Sequence, residues 1–163
     1  MSDGVTVRAA TAGDADFLAD MLVEAANWPS HVDRPRAEVL ADPEIAHYVA
    51  GWPRDTDLGV VAVDGDRPVG AAWLRFFTEA EPAYGFVRAD VPELAIGVVA
   101  DQRGRGVGRA LLRALADAAR LAGIERISLS VERANRAIEL YRAEGYRTVS
   151  SRDHADTMVL DLW

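Results

Sequence analysis

The spacing of hydrophobic and polar positions along the chain predicts alternating strands and helices. Short apolar runs with strand character lie at residues 5–8, 58–63, 68–77, 94–99, 127–131, 146–149 and 158–162. Helical patterns or helix signals lie at residues 17–25, 37–40, 45–49, 109–123 and 135–143. No linker, repeat or low-complexity tract interrupts this order. The pattern therefore predicts one mixed α/β domain over residues 1–163.

Composition narrows the class of protein. Half of the 163 residues are hydrophobic and 27% are charged, the profile of a soluble globular domain. No apolar run approaches the roughly 20 residues that span a bilayer, and the N-terminus lacks the regions of a signal peptide. We therefore expect a cytoplasmic protein with no membrane partner. A net charge of −8 argues against nucleic acid as a partner, because such proteins need a basic face.

Missing residue types exclude several chemistries. The chain has no cysteine, so it has no thiolate nucleophile, disulfide or cysteine-ligated metal. All 18 basic residues are arginines, which excludes a P-loop lysine, a Schiff-base lysine and a pyridoxal-phosphate anchor. The histidines His31, His47 and His154 lack metal-ligand spacing, and we expect no metal.

A glycine-rich segment between a predicted strand and a predicted helix indicates an anion site. Gly104, Gly106 and Gly108 alternate there, so backbone N–H groups can converge on an anion without obstruction by side chains. The start of the helix adds the positive end of its dipole. Nearby arginines can reach further phosphates. The segment therefore predicts a pyrophosphate cradle, with a structural turn that carries solvated arginines as the alternative.

Other phosphate-binding motifs do not fit this segment. A dinucleotide fingerprint would place its last glycine or alanine at Arg109 or at Leu111, so both registers fail. The chain also opens without the early βαβ unit of a Rossmann fold. A Walker loop needs a lysine, which the sequence lacks.

The segment Arg103-x-x-Gly106-x-Gly108 resembles the acetyl-CoA motif of the GNAT N-acetyltransferase superfamily. Other stretches are similar to the same family and follow its order: Val7-Arg8-x-Ala10-Thr11-x-x-Asp14-Ala15, Pro68-Val69-Gly70, Val131-Glu132-x-x-Asn135-x-Ala137-Ile138-x-Leu140-Tyr141 and Gly145-Tyr146. The resemblance implies a single-domain α/β GNAT fold. Its sheet would be twisted, mixed and mostly antiparallel, with six to seven strands flanked by about four helices.

The resemblance also implies a function. It implies an acyltransferase that moves an acetyl group from acetyl-CoA to a primary amine by direct attack on the thioester. The alternative is a non-catalytic acyl-CoA-binding sensor or interaction module of the same fold. The cofactor-binding residues that it implies are Ile96, Gly97, Val98, Arg103, Gly104, Arg105, Gly106, Val107, Gly108, Arg109 and Asn135.

The resemblance gives these residues separate roles. The backbone of residues 96–98 would pair with the pantetheine arm, and Gly97 would leave room for its close approach. Backbone N–H groups from Gly104 to Arg109 would hold the pyrophosphate. Asn135 would contact the cofactor arm, and it can also cap the following helix.

Two residues are the candidates for catalysis. Glu93 is the candidate base by position, because the attacking amine must lose a proton. It stands one residue nearer the glycine loop than in many family members, and a solvated charge at the strand end is the alternative reading. Tyr141 occupies the family's general-acid position and would hydrogen-bond to the leaving sulfur. Its alternative role is to pack against Ile138.

The acceptor pocket is expected in the two irregular segments, residues 28–52 and 78–90. The candidates for its walls are Trp28, Trp73, Phe77, Tyr84 and Phe86, although most aromatic residues of a chain this size are core residues. Glu79 or Glu81 would meet a cationic group. A homodimer is possible, since the family often dimerises and Trp163 could mark an interface.

Overall fold

One seven-stranded sheet organises the part of the chain that the computed structural model describes, residues 4–163. The strand order is β1-β2-β3-β4-β5-β7-β6. The strands are β1 (Val5–Ala9), β2 (Leu58–Asp64), β3 (Arg67–Arg75), β4 (Glu93–Val98), β5 (Arg126–Glu132), β6 (Arg147–Arg152) and β7 (Ala155–Asp161). Neighbouring strands are antiparallel except β4 and β5, which run parallel. This confirms the predicted mixed, mostly antiparallel sheet.

Within residues 4–163, five α-helices cover the sheet, one for each of the five helix signals in the sequence. They are α1 (Ala15–Ala26), α2 (Arg36–Ala41), α3 (Pro43–Ala46), α4 (Val107–Leu121) and α5 (Ala137–Ala143). Short 3-10 turns at Ala12–Asp14 and Ala100–Gln102 precede α1 and the glycine loop. Among residues 4–163, no helix combines the length and apolarity that a bilayer crossing requires.

The sheet separates two hydrophobic clusters, and β3 shows the alternation that feeds them. Ala72 and Leu74 pack with the buried residues of α4 and α5, including Leu111. Ala71 and Trp73 point the other way and pack with α1 and the segment that contains Tyr48. Because successive side chains of a strand alternate between faces, one apolar strand supplies both layers.

The strand boundaries differ most from the prediction at the C-terminal hairpin. The side chains of β6 are all exposed, so this edge strand lacks the apolar alternation that identifies a strand in sequence. Asp153 adopts a left-handed φ of 50° in the turn before β7, and β7 begins at Ala155 rather than near Met158. Backbone pairing with β7 therefore defines β6, rather than burial.

Candidate active site

The parallel strands β4 and β5 lie side by side at a single register pair, Glu93 with Ser128. At this point the Ser128 N–H donates to the carbonyl of Pro92 at 3.0 Å. The rest of β4 pairs only with β3, and the rest of β5 pairs only with β7. The edges of residues 95–98 and 129–132 that face each other are therefore not joined by a ladder. The two strands diverge and leave a gap toward the glycine loop.

The glycine loop delivers free backbone donors to this end of the sheet. Gly104 and Gly106 adopt left-handed φ angles of 74° and 84°, which side-chain-bearing residues avoid. Gly106 is the N-cap of α4 and supplies no capping side chain. The first bond of the helix runs from the Ala110 N–H to the Gly106 carbonyl at 3.1 Å. The preceding N–H groups of α4 therefore lack intrahelical partners.

Two other residues of the predicted cradle pack inward. Val107 is buried in the core. A Cβ atom placed on Gly108 would lie 3.3 Å from a Leu140 methyl group, so this glycine allows α5 to approach α4. The three alternate glycines therefore have different roles. Gly104 and Gly106 shape the loop, and Gly108 allows the two helices to pack closely.

The three arginines of the loop differ in what they contact. Arg103 bonds to Glu24 at 2.7 Å and to the Val98 carbonyl at 3.2 Å. Arg109 pairs with Glu144 at 3.1 Å. Arg105 is exposed and makes no ion pair with the residues that the structure describes. Arg105 is therefore the arginine of the loop whose charge is uncommitted.

Asn135 lies between β5 and α5 and uses part of its bonding capacity. Its Oδ1 atom accepts the N–H of Ala137, the first residue of α5, at 3.0 Å, although Arg136 occupies the N-cap position itself. Its Nδ2 group has no partner within residues 4–163, and it remains available to a ligand.

In the middle of β4, Gly97 makes room for a different group from the pantetheine arm that the resemblance implied. Ile96 and Val98 pack toward the α4 side of the sheet. Gly97 faces the opposite helix, because a Cβ atom there would lie 2.4 Å from the Met21 carbonyl oxygen of α1. The close approach that Gly97 permits in the structure is therefore that of α1.

Glu93 is buried, so the reading of a solvated charge at the strand end was wrong. Its side chain is 2% exposed. One carboxylate oxygen accepts a hydrogen bond from the Tyr48 hydroxyl, and the other accepts the Gly85 N–H at 3.0 Å. Burial raises the pKa of Glu93 from 4.5 to about 7, although these two bonds oppose the shift. Glu93 is thus a carboxyl group that can change protonation near neutrality.

Tyr141 lies on the buried face of α5 beside Tyr146, with the ring centroids 5.9 Å apart. Burial raises the pKa of Tyr141 to about 12, so the phenol keeps its proton at neutral pH. Its hydroxyl has no hydrogen-bond partner among the described residues. The ring of Tyr141 therefore belongs to the same core cluster as Ile138, and its hydroxyl remains free.

The predicted acceptor-pocket aromatics divide into core and surface residues. Trp73 is 1% exposed and donates its Nε1–H to the Tyr48 carbonyl at 2.8 Å. Phe77 is also buried, and it packs against the rings of His47 and Tyr48. Phe86 is half-buried against the same cluster. For Trp73 and Phe77 the pocket assignment was wrong, because their packing leaves almost no surface for a ligand.

The remaining two aromatics lie on the open side of the site. Tyr84 is 56% exposed, and its hydroxyl donates to Glu44 at 3.1 Å. Trp28 is half-buried and donates its Nε1–H to Glu132 at 3.0 Å. Glu79 and Glu81, the residues predicted to meet a cationic group of the acceptor, are exposed on the loop before Tyr84.

Sequence reasoning missed two residues of this site. Tyr48 donates a hydrogen bond to Glu93, but it lies 45 positions away, in a segment that carries only a short helix signal. Glu132 belongs to the family-like motif that ends at Tyr141, but the sequence alone indicated no role for its side chain. In residues 4–163, no group of three or more metal-ligating side chains is arranged to hold a metal ion.

Comparison with known proteins assigns the family. Residues 20–146 match the family described as Acetyltransferase (GNAT) family. This match covers most of the chain, and the protein therefore belongs to the GNAT acetyltransferase family. A comparison with curated proteins found no match.

Solved structures of the family share the fold along almost the whole chain. The ribosomal-protein-alanine N-acetyltransferase from Brucella melitensis is 26% identical with a TM-score of 0.69, covering 96% of this chain and 99% of that one. The GNAT domain of S. lividans PAT is 24% identical with a TM-score of 0.71, covering 96% and 90%. The PaiA N-acetyltransferase from Thermoplasma acidophilum, solved with coenzyme A, is 16% identical with a TM-score of 0.67, covering 99% of each chain.

Proposed function

We propose that this protein is an acetyl-CoA-dependent N-acetyltransferase that acetylates a primary amine. The observation that carries the proposal is the divergence of β4 from β5 beside the uncapped start of α4. A strand edge and a set of free N–H groups meet there. An extended arm that ends in a pyrophosphate needs both kinds of partner.

The residues present fit acetyl-CoA. The N–H groups from Gly104 to Arg109 would bind the pyrophosphate, with the uncommitted guanidinium of Arg105 nearby. The free edge of β4 at residues 96–98 would pair with the pantetheine arm. The Nδ2 group of Asn135 would donate to the same arm.

Acetyl-CoA supplies a thioester whose carbonyl carbon the neutral amine attacks. An alkylammonium has a pKa of about 10.4, so the acceptor must first lose a proton. Glu93, with its pKa near 7, is our candidate to receive that proton. Both its oxygens are occupied and it is buried, so we propose transfer through the Tyr48 hydroxyl or through water rather than by direct contact.

Tyr141 is our candidate for stabilising the departing sulfur. A thiol has a pKa of about 8.5, whereas burial raises the pKa of Tyr141 to about 12. Complete proton transfer to the thiolate would therefore be uphill. The phenol instead stabilises the developing negative charge by donating a hydrogen bond, and its free hydroxyl is suited to this role.

Release of coenzyme A distinguishes an enzyme from a sensor of the same fold. Because the chain contains no cysteine, a thiol reagent reports coenzyme A without background from the protein. We expect amine-dependent release and an acetylated amine by mass spectrometry. Y141F should slow turnover by about 10²-fold with donor affinity retained. Stable donor binding without release across a broad amine panel would favour the sensor instead.

A further inference from the structure

Glu132 ends a polar row on one face of β5. Ile127, Leu129 and Val131 point to the α4 side and belong to its core. Ser128, Ser130 and Glu132 alternate with them and therefore point to the α1 side. Exposure increases along this row, since Ser128 is buried and the Glu132 side chain is 43% exposed. Glu132 thus reaches solvent at the open end of the gap between β4 and β5.

Trp28 connects α1 to Glu132 across this gap. Helix α1 is fixed on β4, where the Met21 carbonyl occupies the space beside Gly97. The chain that follows the helix carries Trp28 to the end of β5, where its Nε1–H donates to Glu132 Oε2 at 3.0 Å. Trp28 and Glu132 therefore border the gap on the face that also carries Glu93.

No arginine neutralises the charge of Glu132 within the described part of the chain. Its Oε1 atom lies 3.5 Å from Nε2 of the exposed imidazole of His154. Arg133, the next residue, turns away and pairs with Asp156 at 2.8 Å. Glu24, by contrast, is bound by Arg103 at 2.7 Å. Glu132 therefore presents a solvent-accessible carboxylate that the indole N–H of Trp28 orients, and such a group favours a cationic ligand.

We propose that Glu132 and Trp28 bind a second cationic group of the acceptor, which makes a diamine or a polyamine the preferred substrate class. This inference rests on the proposed function. The reacting nitrogen must be neutral when it attacks, and a carboxylate beside it would favour its protonated form. The cation at Glu132 is therefore a different group of the same molecule. Trp28 positions the carboxylate through its Nε1–H.

Matched pairs of amines test this recognition. Diaminopropane, diaminobutane and diaminopentane are each compared with the monoamine in which a methyl group replaces the second ammonium. With acetyl-CoA saturating, thiol release gives kcat/KM for both members of a pair. We expect the wild type to prefer the best diamine by about ten-fold, from one charge-assisted hydrogen bond to Glu132. E132Q should reduce that ratio to about one to two, and W28F should give an intermediate ratio.

The controls separate recognition from changes in charge or structure. Glu125, at the other end of β5, is exposed and has no side-chain partner among the described residues. E125Q changes the net charge as E132Q does and should keep the wild-type ratio. A wild type that does not prefer diamines, or an E132Q that lowers both members of a pair equally, would overturn the inference. If acetyl-CoA still stabilises the protein against thermal unfolding in either case, the donor site is retained and only this inference fails. If acetyl-CoA does not stabilise the protein, the proposed function fails as well.

Discussion

Replacing Glu93 with glutamine should stabilise the protein above neutral pH. Glu93 is 2% exposed, and burial raises its pKa from 4.5 to about 7. Between those values the folded state keeps a proton that the unfolded chain has released, so stability falls as the pH rises. This difference in pKa corresponds to roughly 3 kcal/mol of stability lost between strongly acid pH and about pH 8, of which about 1 kcal/mol is already lost near pH 5. Glutamine does not titrate and avoids this loss.

The substitution also has a cost. The carboxylate accepts from both the Tyr48 hydroxyl and the Gly85 N–H, but an amide has a single acceptor oxygen. One hydrogen bond should therefore be lost, at about 1 kcal/mol. The expected balance is a variant that is about 2 kcal/mol more stable than the wild type near pH 8 and about equally stable near pH 5.

Urea unfolding at these two pH values measures the difference. Subtracting the wild type from E93Q isolates the contribution of Glu93 from that of the other carboxylates. E125Q serves as the control, because Glu125 is exposed and its replacement should leave the pH dependence unchanged. A difference between E93Q and the wild type that stays constant across this range would refute the reasoning. It would mean that Glu93 is already ionised in the folded protein near pH 5.

Two further substitutions test the packing that positions the site. G97A should destabilise the fold by at least about 2 kcal/mol, because its Cβ atom would lie 2.4 Å from the Met21 carbonyl oxygen; thermal unfolding checks this. D57N should cost about 3–5 kcal/mol in urea unfolding. It leaves the Arg75 guanidinium, paired with Asp57 at 2.7 Å and 1% exposed, without its buried counter-charge.

Each of these substitutions has a control of the same type. G13A places a methyl group 3.6 Å from the Thr11 hydroxyl oxygen, an ordinary contact, and should be nearly neutral. D101N removes the partner of Arg67 in an exposed pair, and should lower stability far less than D57N does. If G97A and G13A have the same stability in thermal unfolding, α1 is not packed against β4 as described. If D57N matches D101N, the Arg75 pair contributes no more than a surface pair.

Local patterns in the sequence predicted much of the fold and the donor site. The strand and helix order follows from apolar spacing, which depends on neighbouring residues alone. The turns at Gly104 and Gly106 require left-handed φ angles, and glycine is the residue that supplies them. The hydrogen bond from Asn135 to the start of α5 is likewise a contact with a residue two positions away.

Long-range packing determined what the sequence did not predict. Glu93 has the position of a strand-end charge, but Tyr48 and Gly85 enclose it from two distant segments. Trp73 is buried against a segment that lies 25 positions earlier in the chain, where its Nε1–H donates to the Tyr48 carbonyl. Gly97 is required by the close approach of α1, a helix that is remote in sequence. No local window of the chain contains this information.

Thermal unfolding with and without saturating acetyl-CoA tests the central claim, donor binding at the start of α4, most directly. At about 100 times the dissociation constant the ligand should add ~2.7 kcal/mol, which raises the midpoint by roughly 5–11 °C. G106V should lose most of this increment. G123V should retain it, because Gly123 has a similar φ of 79° but lies at the far end of the helix. No rise at any concentration, or an equal rise in G106V, would contradict the account.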